Sequence, residues 1–486
     1  MNNERIPIPS WMRIGFPTMP DQNTSGRDIG IVVLDRLRPH PLLKSLGNRL
    51  KYVMVNNDCS VTMWNAATES FPTESSTSGE HGLGAVLTLT HAPFEVAGRI
   101  YGGISPAANL IVLNCWQFKE GEGERLQKGI DWVLKRKDEW NIRIFLITGW
   151  NILDSDAWVE NTSQKPAVQA LAQALDAGML VIASNGNTKL ENELPPVEYF
   201  AVGSYIDDPF NFPSQASPHL DEPWGRNGDG HMRPDILAPR RYLAVPFYEQ
   251  EPGSSIFSYF YNTSGGSTLV TGVCAYFLAK YPHLRPATLR QYLIDFSDPI
   301  EGNESQACRV NVQKVEEAIE NGSPISSPSL QAPPIRVTNP EASLQSGDPV
   351  ERSLALTILA KDSRCNRPEL WEHTLDPAPM MRKVAYWALR EPADYNERRK
   401  FWDRLDDEED GGVRGWLAYG LLQQTEKAEV HKWIKMMEDI NWSVRWCVSE
   451  YLKKYSEFPV LEKTHDPGEI HEKTLPVWQW YQGHFV

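Results

Sequence analysis

From about residue 28 to residue 300, short apolar runs alternate with amphipathic stretches that have helical spacing. This alternation constrains the fold most strongly, because strands joined by helical crossovers form a parallel sheet. The sequence therefore predicts an α/β fold built on a doubly wound parallel sheet. In such sheets, ligands bind beyond the carboxyl ends of the strands, so polar residues directly after an apolar run are the first candidates for a functional site.

The clearest predicted strand covers residues 29–34, which are apolar and rich in β-branched side chains, and Asp35 follows it directly. Pro166 predicts the start of a crossover helix and Gly178 predicts its end. Three further runs have the character of buried strands, namely residues 109–113, 142–147 and 179–183. Asp35 is thereby predicted at the carboxyl end of a strand.

The chain has 486 residues, which is too long for one ordinary core and predicts more than one domain. A stretch rich in proline and serine with little periodicity predicts an extended linker before a second, smaller domain. The predicted organisation is an N-terminal extension (1–27), the α/β domain (28–320), the linker (321–349) and an all-α helical-repeat domain (350–486).

A weak internal repeat supports the all-α assignment of the last part of the chain. Four apolar residues each open a helix whose positions four, five and eight further on are apolar or small, and an arginine follows each opening residue. A recurrence of about 30 residues is typical of stacked helix pairs and resembles HEAT-type repeats. The alternative is that unrelated amphipathic helices share ordinary core spacing. The opening residues are Val350, Met380, Val413 and Val444, and the arginines are Arg352, Arg382, Arg414 and Arg445.

Composition excludes several classes of function. The chain is 41% hydrophobic and 23% charged and contains no apolar run of membrane-spanning length, so no membrane partner is expected. A net charge of −15 without a basic cluster argues against a nucleic-acid partner. Six scattered cysteines predict reduced thiols, and the first residues do not read as a secretory signal, so we expect a cytoplasmic location.

Three residues could together hydrolyse an amide bond. This chemistry needs a nucleophile, a base and a carboxylate that orients the base, for which Ser264, His81 and Asp35 are the candidates. Ser264 precedes a long apolar helix, whose dipole and free N–H groups favour negative charge beside the serine. Considered singly, each residue also has an ordinary reading, since aspartates often cap turns and serines often begin helices.

The sequence around these residues resembles the subtilase family in five ordered blocks. They are residues 31–35, ending in Asp35; His81-Gly82 with the segment that follows; 181–187, ending in Asn187; 233–239; and 262–268, containing Ser264. The order Asp, His, Ser is also that of the family. The resemblance implies a subtilisin-like fold and a serine endopeptidase that works through an acyl-enzyme. It further implies that Asp35, His81 and Ser264 form the triad and that Asn187 is the side-chain donor of the oxyanion hole.

Several positions depart from the family pattern without removing a reacting group. Arg36-Leu37 follow the aspartate, and Gly84 stands where a second histidine is common. Asn262, Gly265 and Thr268 replace a glycine, a methionine and a proline. The edge that lines the substrate in the family is also altered, and Trp150 is expected to narrow or cap the pocket. The predicted substrate-binding residues are Thr148, Gly149, Trp150 and Gly186.

Because an unrestricted protease in the cytosol would be harmful, the expected compartment and the architecture predict a restricted protein or peptide substrate or an activation step, in a processing or defence pathway. The helical repeats would recruit that substrate or a regulatory protein. Two alternatives stay open: a catalytically inactive subtilase fold that serves as a binding module, and a scaffold in which the repeats carry the function. No cofactor is required, and calcium, which often stabilises the family, cannot be assigned to any loop with enough oxygen ligands.

Overall fold

The computed structural model describes the whole chain apart from residues 1–5, 73–77, 116–121, 149–162, 164–165, 188–193, 212–214, 220–221, 247–256, 303–305, 327–332, 424–428, 456, 460–466 and 486. The sheet-bearing part covers residues 6–322, and the helical array covers residues 340–485.

The sheet-bearing part contains all the strands found among the described residues. They are β1 (Gly30–Leu34), β2 (Leu50–Val55), β3 (Val61–Asn65), β4 (Phe94–Val96), β5 (Arg99–Tyr101), β6 (Asn109–Asn114), β7 (Ile142–Ile147), β8 (Leu180–Ser184), β9 (Phe200–Ile206), β10 (Ser217–Pro218), β11 (Gly225–Arg226), β12 (Met232–Arg233), β13 (Ile236–Pro239), β14 (Leu243–Pro246), β15 (Phe257–Phe260) and β16 (Cys308–Arg309). Its helices are α1 (Ser10–Arg13), α2 (Ser78–Thr90), α3 (Glu122–Leu134), α4 (Pro166–Asp176), α5 (Asn262–Lys280), α6 (Pro286–Asp295) and α7 (Val312–Glu320), with a 3₁₀ helix at Pro41–Arg49.

One large sheet has the strand order β16-β13-β9-β8-β7-β1-β6-β2-β3, and β10 pairs with β9. Strands β1, β2, β6, β7, β8, β9, β13 and β16 run parallel, whereas β3 and β10 are antiparallel to their neighbours. The predicted α/β fold is confirmed, with the refinement that the sheet is mixed. The antiparallel strands follow short connections, which suit a reversal of direction better than a helical crossover does.

Two hydrophobic cores lie on the two faces of this sheet. Alternate residues of β1 contribute to them: Ile31 and Val33 pack in the core that includes α2 and α5, and Val32 packs in the core that includes α3 and α4. All five residues of β1 are buried, as expected for a central parallel strand covered on both faces. Asp35, which follows β1 directly, is therefore attached to a strand that is packed on both faces.

The elements predicted individually lie where they were expected. The four predicted strands correspond to β1, β6, β7 and β8 within one residue at each end. Helix α4 begins at Pro166, and Gly178 follows it with a φ of 78°, a left-handed conformation that favours glycine. The six cysteines are all free, and three of them, Cys115, Cys274 and Cys447, are buried.

The helical array has its own hydrophobic core. The four residues predicted to open helices lie in the first turns of α9, α11, α13 and α15, and these helices contact one another in that order. The repeat in the sequence therefore corresponds to helices that pack against one another, while its assignment to the HEAT type stays a prediction. The helices are α8 (Pro340–Ser343), α9 (Pro349–Lys361), α10 (Arg367–His373), α11 (Pro379–Leu389), α12 (Tyr395–Asp407), α13 (Gly411–Leu422), α14 (Val430–Met436), α15 (Trp442–Leu452) and α16 (Pro467–Phe485).

The recurring arginines connect successive repeats. Arg352 binds Asp376 at 3.0 and 3.2 Å, and Arg382 binds Glu408 at 2.7 and 2.9 Å. Arg414 binds Asp439 in the same way, so each of these arginines pairs with a carboxylate just before the next helix of the series. The fourth arginine, Arg445, binds the backbone carbonyl of Asp439 instead.

The segment predicted as an extended linker contains a short helix. Asn339 caps α8 by accepting a hydrogen bond from the backbone of Ala342, and Pro340 occupies the first helical position. Further on, Asp348 binds Arg226 of the sheet-bearing part at 2.8 and 2.9 Å. The division into domains at these boundaries stays a proposal.

None of the helices among the described residues is both long and apolar enough to cross a membrane.

Candidate active site

Three adjacent strands place the central polar residues of the site at one edge of the sheet. Asp35 follows β1, Thr148 follows β7, and the loop 185–187 follows β8, and these strands pair as β1-β7-β8. Because the strands are parallel, their carboxyl ends meet at the same edge, where sheets of this type bind ligands.

The Asp35 carboxylate is buried, with the residue 7% exposed, and it accepts three hydrogen bonds. Its Oδ2 lies 2.6 Å from His81 Nδ1 and accepts from Thr148 Oγ1 at 2.7 Å. Its Oδ1 accepts from the backbone N–H of Arg36 at 2.7 Å. A carboxylate held by three donors has a fixed orientation, so it can in turn orient the imidazole of His81.

His81 lies in the first turn of α2, and two glycines let this helix pack closely, Gly82 against the chain after β1 and Gly84 against β15. A Cβ atom at Gly82 would lie 1.8 Å from the carbonyl oxygen of Arg36, which is not sterically possible. A Cβ atom at Gly84 would lie 2.7 Å from the ring of Phe260, which packs edge-on against the His81 ring at 5.1 Å between centroids. The replacement of the family's second histidine by Gly84 thus makes room for Phe260.

The contact with Asp35 determines both the tautomer and the charge preference of His81. Because an ionised carboxylate only accepts hydrogen bonds, Nδ1 carries a proton and Nε2 is left as the basic nitrogen. Desolvation of the ring opposes protonation, but the charge of Asp35 and its hydrogen bond outweigh this effect. The pKa of His81 is therefore raised above its ordinary value of 6.5.

Ser264 lies in the first turn of α5 and is 5% exposed. Its Oγ donates a hydrogen bond to the backbone carbonyl of Thr148 at 2.8 Å, and Ser184 Oγ donates to the same carbonyl at 3.0 Å. Thr148 therefore joins the site together, since its hydroxyl binds Asp35 and its carbonyl binds Ser264. The backbone N–H of Ser264 belongs to the first helical turn, where N–H groups have no acceptor within the helix.

The turn that leads into α5 explains one departure from the family pattern. Asn262 has a φ of 65°, a left-handed conformation that glycine adopts freely and that asparagine tolerates better than most residues. A second departure, Thr268, donates from its hydroxyl to the carbonyl of Ser264 at 2.8 Å. Both replacements are thus compatible with the backbone geometry around the serine.

Asn187 contacts the same turn. Its Oδ1 accepts hydrogen bonds from the backbone N–H of Thr263 at 3.1 Å and from the Thr263 hydroxyl at 2.9 Å. Because the amide oxygen is held by these donors, the amide presents its Nδ2 hydrogens as donors from a defined position. The preceding Gly186 has a φ of 103°, which requires glycine at this position of the loop.

The predicted substrate-binding residues are only partly described. Gly149 and Trp150 lie outside the described residues, and Gly186 is buried beside Asn187. Thr148 is 2% exposed and its hydroxyl donates to Asp35, so its side chain helps to orient that carboxylate, while its role in substrate binding stays a prediction. Sequence reasoning missed this contact, although a hydroxyl residue directly after β7 was a usable signal for it.

No cluster of three or more histidine, cysteine, aspartate or glutamate residues that could hold a metal ion occurs in the described part of the chain.

Residues 28–322 match the subtilase family. The serine protease AprX of Bacillus subtilis (strain 168) is 24% identical over 298 residues, a match that covers 57% of this chain and 63% of AprX, so the chain spans less than two thirds of that relative. Among solved structures, the protease domain of PatA is 19% identical and covers 63% of this chain and 100% of its own, with a TM-score of 0.44. Fervidolysin from Fervidobacterium pennivorans is 15% identical and covers 63% of this chain and 44% of its own, also with a TM-score of 0.44. Because the family match extends over more than half of its length, the chain belongs to the subtilase family.

Proposed function

We propose that the protein is a serine endopeptidase in which Ser264 is the nucleophile, His81 the general base and acid, and Asp35 the orienting carboxylate. The observation that carries the proposal is the chain of hydrogen bonds from His81 through Asp35 and Thr148 to Ser264. It supplies an oriented base and a buried carboxylate at the strand edge where the serine lies.

In the proposed mechanism, the Ser264 hydroxyl turns from the Thr148 carbonyl to Nε2 of His81 and attacks the carbonyl carbon of the scissile bond. His81 takes the proton, and Asp35 stabilises the imidazolium that forms. The oxyanion accepts hydrogen bonds from Asn187 Nδ2 and the backbone N–H of Ser264. His81 then protonates the leaving amine, and a water molecule releases the acyl group from Ser264 by the same steps in reverse.

The helical array supports a proposal about the substrate. Stacked repeats form extended surfaces that suit the binding of another protein. We therefore propose that the array recruits a restricted protein substrate or a regulatory protein, and that the enzyme works in a cytoplasmic processing or defence pathway.

The activity can be tested with the purified full-length protein and unfolded proteins as substrates. Ser264→Ala is expected to abolish cleavage, with a loss of about 10⁴-fold or more, because the nucleophile is removed. Ser105→Ala is a matched control, since Ser105 is also buried and also bonds to α5, through the carbonyl of Gly272. Equal cleavage by wild type and Ser264→Ala would contradict the proposal.

A second candidate function follows from the hydrogen bond between Ser264 Oγ and the Thr148 carbonyl. A serine held permanently in this position would not attack a substrate, and the fold would then act as a binding module. A folded wild-type protein that cleaves nothing and never reacts with a serine-directed probe would favour this alternative.

A further inference from the structure

A buried ion pair lies beside the candidate active site and has no part in the mechanism described above. The side chains of Glu222 and Arg240 are 0% and 1% exposed, and they contact each other directly. Glu222 also accepts from the backbone N–H of Ser204 at 2.8 Å, from the Ser204 hydroxyl, and from Trp224 Nε1 at 3.0 Å. The carboxylate thus accepts hydrogen bonds from four donors, and these bonds hold the ion pair in one orientation.

This pair contacts both segments that form the oxyanion site. A terminal nitrogen of Arg240 lies 3.5 Å from the backbone carbonyl of Asn187, and the carbonyl of Arg240 accepts from the N–H of Asn262 at 3.0 Å. Next to Glu222, the carbonyl of Pro223 accepts from the side chain of Asn185 at 3.0 Å. Residues of the loop 185–187 and of the turn before Ser264 therefore both contact the segments that contain Glu222 and Arg240.

The energetics of burial favour a positional role for the pair. Removing two charges from water costs much of what their attraction returns, so an apolar pair would often be at least as stable. Donors to an oxyanion, in contrast, act only when they are held in place before the reaction. An ion pair with a fixed geometry meets this requirement at the cost of desolvation.

We propose that Arg240, held by Glu222, is a positioning residue that places Asn187 for stabilisation of the oxyanion and so sets the rate at which Ser264 is acylated. Arg240 acts through Asn187 and does not touch the substrate. This inference rests on the proposed function, and the experiment below distinguishes the failure of one from the failure of the other.

The test compares the rate of Ser264 phosphonylation by a fluorophosphonate, and kcat and KM for a peptide substrate, in full-length variants. Arg240→Lys keeps a positive charge next to Glu222, but it replaces the planar fork, whose two terminal nitrogens contact Glu222 and the Asn187 carbonyl separately, with one nitrogen on a shorter side chain. We expect both rates to fall about 10–100-fold with KM nearly unchanged, because the donor is displaced by a fraction of an ångström. The matched control is Arg233→Lys, since Arg233 is equally buried and binds Asp235 and the Pro195 carbonyl; its rate should stay within about twofold of wild type.

A double-mutant cycle separates positioning from general damage. If Arg240 acts through Asn187, Arg240→Lys should cost less than about threefold in an Asn187→Ala background, where the donor is already absent. Equal losses in both backgrounds, or an Arg240→Lys rate within twofold of wild type, would overturn the inference while leaving the proposed function intact.

A second variant serves as a control for loss of stability. Should Arg240→Lys unfold, the double replacement Glu222→Gln with Arg240→Met removes both charges at similar volume, and it is subject to the same expectations. A wild-type protein that shows no labelling would overturn the proposed function, and this inference with it.

Discussion

The sheet-bearing part and the helical array are held together by contacts of different reach along the chain. In the sheet-bearing part, the hydrogen bonds of the candidate site join residues that are 46, 113 and 116 positions apart. In the array, the arginine–carboxylate pairs that link successive repeats join residues between 24 and 26 positions apart. The site therefore depends on the folding of the whole sheet, whereas each repeat depends on its neighbours.

This difference predicts how damage spreads. A sheet closed by distant contacts unfolds as one cooperative unit, so a lesion that lowers its free energy of unfolding also lowers the population of the folded site. A repeat array has a stability that is close to the sum of local terms, so a lesion stays near its origin.

Breaking a distant contact of the site should have the largest effect. Asp35→Asn is expected to lower kcat by about 10⁴-fold, because the amide no longer stabilises the reactive tautomer and the imidazolium of His81. In wild type, His81 must be neutral to act as a base, so activity should rise with pH through an apparent pKa above 6.5, and Asp35→Asn should move this limb to lower pH. Profiles of kcat/KM against pH would measure both effects.

Asp298→Asn, at a partly exposed carboxylate in the same part, should leave the profile unchanged; a profile that Asp35→Asn leaves in place would contradict the assignment.

A matched pair of core truncations compares the two parts directly. Leu146→Ala in β7 and Leu417→Ala in α13 both remove a fully buried side chain, and each should lower the free energy of unfolding by about 2–5 kcal/mol. Leu146→Ala should also reduce labelling of Ser264 under mild denaturing conditions, while Leu417→Ala should not. Urea unfolding followed in parallel with labelling would measure this difference. Equal loss of labelling in both variants would contradict the claim that damage in the helical array stays local.

The smallest effect is expected from one link between repeats. Arg382→Met leaves Glu408, which is 9% exposed, without its guanidinium and should lower the stability of the array by about 1–3 kcal/mol. The control is Lys453→Met, which removes an exposed pair with Glu450 and should cost no more than about 0.5 kcal/mol. Thermal unfolding would distinguish the two variants. Equal costs would mean that the arginine pairs are ordinary surface contacts.

The sequence predicted the elements whose signal is local. Strands β1, β6, β7 and β8 are continuous apolar runs, and α4 has a proline at its start and a glycine after its end. The antiparallel edge strand β3 and the short hairpins were not predicted, because a few residues of mixed polarity carry little periodicity. The helix α8 was missed for the same reason, since its signal is one asparagine followed by a proline.

The candidate site was predictable to a similar limit. Motif order brought Asp35, His81 and Ser264 together as candidates, and the structure places them at one edge of the sheet. The contacts of Thr148 with Asp35 and of Arg240 with Glu222 depend on which strands are neighbours. That information lies in the pairing of segments far apart along the chain, so no local pattern could reveal it.

The most direct test of the account is to treat the purified full-length protein with a fluorophosphonate and to locate the adduct by mass spectrometry. We expect a single adduct on Ser264 in wild type, no adduct in Ser264→Ala, and strongly slowed labelling in His81→Ala. An adduct on another serine, or a folded wild-type protein that stays unlabelled, would contradict the assignment of Ser264 as the nucleophile.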